Sequence, residues 1–336
     1  MFRRLLAAAL VLLVAGALLV IAWPQLFGLQ HASFIAQAVS LRGLAAGVAL
    51  VCAIVLTLLA MLSRTARRFA SSLVVLLLVF VGVSAVVLAT RGFGTPDTGT
   101  PGGPGLTVLS WNTLGHATSP TEVSRLALEA GADIVALPET ARQSADAVAA
   151  LMEAAGHPMS VRTVAFDQIV NAHSTSLLIS VNLGRYSIAN GPSTSVLPTV
   201  VATPDDGAGP TIIAVHAVAP IPGQMNNWRR DLAWLATACA GDNVIMAGDF
   251  NATIDHMSRL GSKPDQTLGE CTDAALQAHT AALGTWPTFL PARLGAPIDH
   301  IMATPRWRVA GMRVVEDRDQ AGSDHRPIVV RLRPAG

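Results

Sequence analysis

Charged residues are scarce in this chain of 336 residues: they make up 13%, whereas 51% of the residues are hydrophobic. Soluble globular proteins typically have about 25% charged residues, so the composition excludes an ordinary soluble protein. The scarcity is greatest at the start of the chain, where only eight charged residues precede residue 101. From Pro101 onward there are 16 Lys or Arg and 21 Asp or Glu, a net charge of −5. We therefore expect a membrane part followed by a mildly acidic globular part.

Clusters of cysteine, histidine pairs and runs of basic residues are also missing. The three cysteines, Cys52, Cys239 and Cys271, are far apart, and no two histidines have helical spacing, which disfavours a zinc site. No run of Lys or Arg provides the electrostatic footprint of a protein that binds long duplexes. An oxidising compartment would permit a disulfide between Cys239 and Cys271, and two buried free thiols are the alternative.

Three long apolar runs, 5–22, 44–62 and 73–89, fill the first third of the chain. Each approaches the roughly 20 residues that a helix needs to cross a bilayer, and none contains a charge. We therefore predict three transmembrane helices, with a cleaved signal peptide as the alternative for the first run. The predicted parts of the chain are a membrane domain at 1–90, a Gly/Pro/Thr-rich linker at 91–105 and a globular domain at 106–336.

Positive charges flank these runs unevenly. Two arginines precede the first run and three lie between the second and third, whereas the loop between the first and second contains only Arg42. Positive residues favour the cytoplasmic side of a membrane. We therefore expect a multi-pass protein of the cell membrane, with its N-terminus in the cytoplasm and its globular domain outside.

Helical and strand patterns alternate in the first half of the globular domain. Ser119, Pro120 and Glu122 form a helix start, with a hydroxyl cap, an early proline and an acid in the first turn. Gly131 is a typical residue to end this helix. Later in the domain the predicted strands pair with one another, and the whole pattern favours sheets covered by helices.

Several predicted strands end in polar residues. The apolar strand 244–247 leads into Gly248, which permits a turn or a close approach, and then into Asp249 and Asn251. These two side chains would point to the same side of an extended backbone. One polar residue at a strand end is usually a turn residue, but a set of them predicts a site with oxygen ligands for a Mg²⁺-like ion and histidines for proton transfer. The other members of this set are Asn112, Glu139, His216, Asp299, Asp324 and His325.

Five motifs carry a resemblance to a known family. They are WN at 111–112, PET at 138–140, GDFN at 248–251, IDH at 298–300 and SDHRP at 323–327. Their order and spacing resemble those of the endonuclease/exonuclease/phosphatase superfamily, which includes DNase I-like nucleases, sphingomyelinases and inositol-polyphosphate phosphatases. The resemblance implies an α/β (α+β) four-layer sandwich of two packed, mixed β-sheets, with the active site where the strand ends meet. It makes 106–336 the predicted catalytic domain.

The resemblance also implies roles for individual residues. Glu139 matches a metal-binding acid, Asn112 matches the amide that supports it, and Asp324 matches a second acid on the metal side. Asp249 matches the acid that orients or activates the attacking water. Asn251 matches the amide that holds a phosphate oxygen.

Two histidines complete the implied set. His325 matches the histidine that acts on the phosphate, and Asp299 matches the acid that fixes its tautomer. His216 matches a histidine of the DNase I and sphingomyelinase branches. We expect protonated imidazoles to stabilise the transition state or to protonate the leaving group. Abasic-site nucleases carry a tyrosine near His216, and Tyr186 lies too far upstream to match it clearly, which weakens a DNA-repair function.

The expected function is a membrane-anchored phosphohydrolase with its catalytic domain outside the cytoplasm. It would use Mg²⁺ or Mn²⁺ to cleave phosphodiesters or phosphomonoesters by in-line attack of water. Nucleic acid, lipid phosphates and small phosphate esters stay open as substrates, and no protein partner is expected. The alternative is a binding or sensing protein that keeps the fold without turnover, but the complete set of acids, amides and histidines favours the enzyme.

Residues next to the motifs are expected to be structural. Asp255 and His256 are expected in a surface loop, with substrate contact as the alternative. His300 should turn away from the side of its strand on which Asp299 lies. Three tryptophans could stack on bases or form a lipid-facing rim, but we expect them to pack in the core or anchor at the surface: Trp228, Trp286 and Trp307.

Overall fold

In a computed structural model of the chain, the residues with a described position are 2–62, 67–94, 105–115, 117–166 and 171–335. The first two ranges are mainly helical and contain α1 (Phe2–Ala22), α2 (Ile35–Ser40), α3 (Arg42–Leu62) and α4 (Arg67–Arg91). Helices α1, α3 and α4 correspond to the three predicted spans, and each is long and apolar enough to cross a membrane. The short helix α2 has no counterpart in the sequence prediction.

The start of the predicted linker is ordered against the globular domain. Arg91, its first predicted residue, is the last residue of α4. The Gly94 N–H donates to the His279 carbonyl oxygen at 2.7 Å, and the Ala282 N–H donates to the Gly92 carbonyl oxygen at 3.0 Å. Residues 95–104 of the predicted linker lie outside the described residues.

Twelve strands follow within the described ranges: β1 (Leu106–Ser110), β2 (Ile134–Pro138), β3 (Met159–Ala165), β4 (Ser174–Ser180), β5 (Tyr186–Ile188), β6 (Val200–Pro204), β7 (Thr211–His216), β8 (Val244–Asp249), β9 (Thr272–Asp273), β10 (Asp299–Ala303), β11 (Trp307–Val314) and β12 (Ile328–Pro334). The helices among them are α5 (Pro120–Ala130), α6 (Arg142–Ala154), α7 (Met225–Ala238) and α8 (Ala274–Gln277). Helix α5 has the predicted ends, because the Ser119 side chain accepts from the Glu122 N–H and Gly131 adopts a left-handed conformation.

The strands form two mixed, six-stranded sheets. Their orders are β11-β12-β1-β2-β4-β3 and β5-β6-β7-β8-β10-β9. Successive residues of a strand face opposite sides of the sheet: Val108 packs between the two sheets, whereas Leu109 packs under α5 and α6 on the outer face of the first sheet. Helix α7 covers the outer face of the second sheet. The predicted four-layer sandwich is confirmed.

The pairing of β7, β8 and β10 places polar side chains in one row. Strand β7 is parallel to β8 and β10 is antiparallel to it, with His216 opposite Asp249 and Asp249 opposite Asp299. Gly248 precedes this row with a φ of 151°, and a Cβ there would collide with the carbonyl oxygen of Val215. Glycine therefore permits the close approach of β7 and β8 that brings the row together.

The first sheet presents its polar strand ends at the same place. Strand β1 is parallel to β2 and antiparallel to β12, with Ser110 opposite both Ala136 and Ile328. The end of β1, the end of β2 and the start of β12 therefore share one edge of the sheet. Asn112 follows β1, Glu139 follows β2, and the 323–327 motif precedes β12.

Asp255 joins the globular domain to the N-terminal helices. It is 4% exposed, and its Oδ1 accepts from Gln25 Nε2 at 2.8 Å and from Arg42 Nη2 at 3.1 Å, while its Oδ2 accepts from Arg91 Nη1 at 2.9 Å. Burial alone would raise the pKa of Asp255, but Arg91 and Arg42 hold that pKa well below its usual range. The expectation of a surface loop is therefore wrong, because the partners of Asp255 lie more than 160 residues away in the sequence.

His256 is also buried rather than exposed. Its Nδ1 accepts from the Thr253 N–H at 2.9 Å, and its Nε2 lies 3.1 Å from the Ala36 carbonyl oxygen in α2. Its ring packs edge-on against the ring of Trp228. Trp228 is fully buried in a cluster that includes Ala36 of α2, so it belongs to the core, as expected. Contacts with the N-terminal segment thus account for the burial of both Asp255 and His256.

A disulfide joins Cys239, at the end of α7, to Cys271, just before β9. The sequence left this pairing open. Cys52 is free and exposed on α3. The disulfide ties the covering helix α7 to the strand next to β10 in the second sheet.

Candidate active site

Asp249 lies at the centre of the cluster of polar strand ends. Its Oδ1 accepts from the Asn251 N–H at 2.8 Å, and its Oδ2 accepts from Asn112 Nδ2 at 3.1 Å. Asn251 has a φ of 47°, an uncommon conformation for a residue other than glycine, so a tight turn rather than an extended strand brings it beside Asp249. Asn251 Nδ2 donates to the Ala217 carbonyl oxygen at 2.9 Å and to Asp249 Oδ2 at 3.2 Å. A phosphate oxygen would therefore have to replace one of these two acceptors.

His325 and Asp299 form a buried acid–imidazole pair. His325 Nδ1 lies 2.9 Å from Asp299 Oδ2, and His325 Nε2 lies 3.8 Å from Asp249 Oδ2. Burial alone would lower the pKa of His325, but the carboxylates of Asp299 and Asp249 raise it well above its ordinary value. His325 is therefore an imidazolium at neutral pH that donates its Nδ1 proton to Asp299.

Backbone contacts hold His325 in place. Its N–H donates to Ser323 Oγ at 3.0 Å, and the Ser323 hydroxyl donates to the Asn112 carbonyl oxygen at 2.6 Å. Trp111 Nε1 donates to the His325 carbonyl oxygen at 2.9 Å. Sequence reasoning assigned no role to Ser323 or Trp111, although both lie within the quoted motifs.

Glu139 faces this cluster from the first sheet. It has a φ of 55°, and its Oε1 accepts from Asn112 Nδ2 at 3.0 Å. Burial raises the pKa of Glu139 above its ordinary value, against the hydrogen bond from Asn112 and the charge of His325, while Asp324 and Asp299 reinforce the increase. A carboxylate in this environment gains from a nearby cation.

His216 differs from the sequence-based expectation. Its Nε2 lies 3.8 Å from Glu139 Oε1, so it belongs to the cluster. Complete burial lowers the pKa of His216 to about 3, and the charge of His325 acts in the same direction. In the described part of the chain its Nδ1 has no hydrogen-bond partner. His216 is therefore neutral at pH 7, and only His325 fits the expectation of a protonated imidazole.

Asp324 is the most open member of the cluster, with 39% of its side chain exposed. Its Oδ2 accepts from Trp286 Nε1 at 2.8 Å, and its Oδ1 lies 3.9 Å from His325 Nε2. Trp286 therefore positions a site residue, and this contact with Asp324 has no signal in the sequence. His300, which follows Asp299 in β10, turns away from the cluster as expected. Its Nδ1 lies 2.7 Å from Asp273 Oδ2.

The eight residues predicted for the site therefore lie in one cluster whose charge suits a metal ion. Four carboxylates, those of Glu139, Asp249, Asp299 and Asp324, surround one imidazolium, which gives a formal charge of −3 when all are ionised. Ligand atoms of Asp249, Asp299 and His325 lie within 4.8 Å of one another, and this group could hold an ion if His325 were in its neutral form. Asp299 Oδ1 and Asp324 Oδ1 are buried and have no hydrogen-bond partner among the described residues. Oxygen donors of this kind fit a hard divalent cation better than zinc.

The two-sheet fold and the cluster of polar strand ends agree with a match between this chain and a known protein family. Residues 109–325 match the model of the Endonuclease/Exonuclease/phosphatase family. The chain belongs to this family. Members of the family are metal-dependent phosphoesterases. Among curated proteins, no relative matches the chain.

Solved structures with the same fold are distant in sequence. The endonuclease/exonuclease/phosphatase from Beutenbergia cavernae is 18% identical with a TM-score of 0.51, and the match covers 70% of this chain and 72% of that one. D. rerio TDP2 complexed with a single-strand DNA product is 17% identical with a TM-score of 0.52, over 68% and 98% of the two chains. A family protein from Leptotrichia buccalis is 14% identical with a TM-score of 0.52, over 68% and 99%. At these identities the matches establish the fold alone.

Proposed function

We propose that this protein is a metal-dependent phosphodiesterase that hydrolyses its substrate by in-line attack of water. The observation that carries the proposal is the placement of His325 between Asp299 at 2.9 Å and Asp249 at 3.8 Å. An imidazolium held beside the Asp249 carboxylate, whose pKa is raised by burial to about 7, supplies a proton donor and a proton acceptor to the same phosphorus centre. Phosphodiesters need such paired groups because their negative charge resists nucleophilic attack.

In this proposal each group has a distinct task. Asp249 aligns the attacking water and accepts its proton, helped by the hydrogen bond from Asn112 that keeps its carboxylate in place. His325 donates to the phosphate, and Asp299 keeps it protonated and oriented. His216, neutral and fully buried, would contribute a hydrogen bond without a charge.

Glu139 and Asp324, supported by Asn112, are the proposed ligands of Mg²⁺ or Mn²⁺. Asp249 and Asp299 are less suited, because the hydrogen bond and the charge of His325 already compensate them. Glu139 is 17% exposed and Asp324 is 39% exposed, so both border solvent from which an ion can enter. A bound divalent ion would neutralise the charge that develops on the phosphate oxygens.

The protein is further proposed to be a multi-pass membrane protein, with a membrane domain at 1–90 and a catalytic domain at 106–336 outside the cytoplasm. Gln25, Arg42 and Arg91, at one end of the three long helices, contact the same Asp255, which supports a single side for the catalytic domain. The Cys239–Cys271 disulfide suits an oxidising compartment. A reporter enzyme fused after Gly336 should be active only if it folds outside the cytoplasm, and activity of a cytoplasm-specific reporter there would contradict this topology.

Two classes of phosphate ester are candidate substrates. The TDP2 structure contains a single-strand DNA product, which makes single-stranded DNA a candidate. The net charge of −5 from Pro101 onward argues against long duplex DNA. The contact with membrane-type helices makes lipid phosphodiesters the second candidate. A binding or sensing protein without turnover is the competing function.

The proposal is tested with the purified full-length chain in detergent and Mg²⁺. A generic bis-aryl phosphodiester, single-stranded DNA and phospholipid vesicles are offered in parallel. Asp249→Asn and His325→Ala should each lower turnover by about 10²–10⁴-fold, while Asp242→Asn, whose side chain is 91% exposed, should not change it. Full activity in either site variant would refute the assignment. No turnover on any substrate by a folded, metal-binding protein would favour the binding function.

A further inference from the structure

A cleft separate from the candidate active site lies where the N-terminal helices meet the globular domain. This cleft, of about 730 Å³, opens between the end of α1, the second half of α4 and the 255–258 segment. One wall is the apolar face of α4, formed by residues at helical i, i+4 spacing: Gly82, Val83, Val86 and Val87. Two arginines, Arg42 and Arg91, lie at the polar end. None of the eight candidate active-site residues lines this cleft.

The charges at the polar end do not balance. Arg42 and Arg91 are only 5% and 14% exposed, and both pair with the single carboxylate of Asp255. His256 beside them is neutral at pH 7, because burial lowers its pKa to about 4. The group therefore has a net charge of +1. The Arg42 Nε is buried and has no hydrogen-bond partner among the described residues. A buried excess charge is costly, so an anion would stabilise this end of the cleft.

We propose that this cleft binds one anionic phospholipid, with its phosphate against Arg42 and Arg91 and an acyl chain along residues 82–87 of α4. The apolar wall distinguishes a lipid from a free phosphate, which would need only the charged end. Trp23, 60% exposed, also lines the cleft and is a residue type that anchors at membrane interfaces. The inference rests on the proposal that α1, α3 and α4 lie in a bilayer, and it is independent of catalysis.

The test uses native mass spectrometry of the full-length protein in detergent, titrated with dioleoylphosphatidylglycerol or dioleoylphosphatidylcholine. The wild-type protein should bind one phosphatidylglycerol at least about fivefold more tightly than phosphatidylcholine, as expected for an arginine acting on an anionic headgroup. Arg91→Gln should remove most of this preference. Inorganic phosphate at millimolar concentration should not displace the lipid.

A matched pair of variants separates the cleft from general effects on the helices. A Cβ added at Gly82 on α4 or at Gly47 on α3 would meet no atom of another part of the molecule within 4 Å, so both positions have open space for the start of a side chain. Gly82→Leu extends into the cleft and should weaken phosphatidylglycerol binding about tenfold, because it occupies the space of the acyl chain. Gly47→Leu, which is outside the cleft, should bind like the wild type.

Three results would overturn the inference. The first is that the wild-type protein binds the two lipids equally or binds neither. The second is that Gly82→Leu binds phosphatidylglycerol as tightly as the wild type, and the third is that inorganic phosphate displaces the lipid. If Arg91→Gln fails to fold after losing its contact with Asp255, the Gly82→Leu and Gly47→Leu comparison still decides. Active-site variants such as Asp249→Asn should bind the lipid normally, so failure of the catalytic proposal would be recognised separately.

Discussion

In the proposed mechanism, Asp299 acts on the phosphate only through His325. Its Oδ2 accepts the Nδ1 proton of His325, and the pairing keeps the imidazole charged inside the protein. The backbone N–H of Asp299 donates to Thr285 Oγ1 at 3.1 Å, which holds the main chain of Asp299 in place. A neutral amide at this position would keep the shape of the site while removing the charge.

Asp299→Asn is therefore expected to lower kcat by about 10²–10⁴-fold with little change in substrate KM. Asp273→Asn is the matched control, because Asp273 forms a similar buried pair with His300 at 2.7 Å. Both variants should lower the melting temperature, but only Asp299→Asn should impair the turnover of the folded enzyme. Wild-type turnover in Asp299→Asn would remove Asp299 from the mechanism.

At the residue scale, the identity of the site residues was more predictable than their states. Polar residues at the ends of buried strands indicated all eight members of the cluster, because apolar strands rarely end in so many acids and amides. The charge of His216 was not predictable, since it depends on complete burial. Ser323 and Trp286 were missed because a hydrogen bond to the backbone or to one carboxylate leaves no pattern in the sequence.

The segment between β8 and β9 connects the site to the N-terminal helices. Asn251 accepts a hydrogen bond from Trp228 Nε1 through its carbonyl oxygen at 3.0 Å, and Trp228 packs against His256. Asp255, four residues after Asn251, binds Arg42 and Arg91. The same short segment therefore carries the turn at the site and the contact with the helices.

Asp255→Asn should destabilise the joined structure by about 3–5 kcal/mol, because it leaves two buried arginines without their carboxylate. Thermal unfolding of the full-length protein in detergent measures the effect. Asp265→Asn, an exposed acid further along the same segment, should leave the unfolding midpoint unchanged. An Asp255→Asn protein as stable as the wild type would show that the ion pairs do not hold the helices to the globular domain.

Most elements of the fold could be predicted, and those that could not are short. Capping residues defined the ends of α5, long uncharged apolar runs defined the three long helices, and short apolar runs defined strands such as β8. Strands β5 and β9 have three and two residues, too few to show a periodicity. Helix α2 has six residues and depends on packing against α7 rather than on its own sequence pattern.

As a whole, the described residues form one connected molecule rather than a free domain on a tether. Ion pairs at Asp255 and the burial of Ala36 against Trp228 join the N-terminal helices to the second sheet. The sequence suggested a flexible connection because Gly and Pro are concentrated between 92 and 105. Contacts between segments so distant in the chain leave no recognisable pattern in the local sequence. Functional assays therefore need the full-length protein rather than an excised catalytic domain.

In the proposed mechanism, a divalent metal ion and the carboxylate–imidazole cluster together hydrolyse a phosphodiester. The most direct measurement is hydrolysis of a bis-aryl phosphodiester by the full-length protein before and after chelation with EDTA. We expect turnover to depend on Mg²⁺: EDTA should abolish it, and added Mg²⁺ or Mn²⁺ should restore it. Glu139→Gln should raise the metal concentration that turnover requires. Turnover that persists in EDTA, or a metal requirement unchanged in Glu139→Gln, would contradict this mechanism.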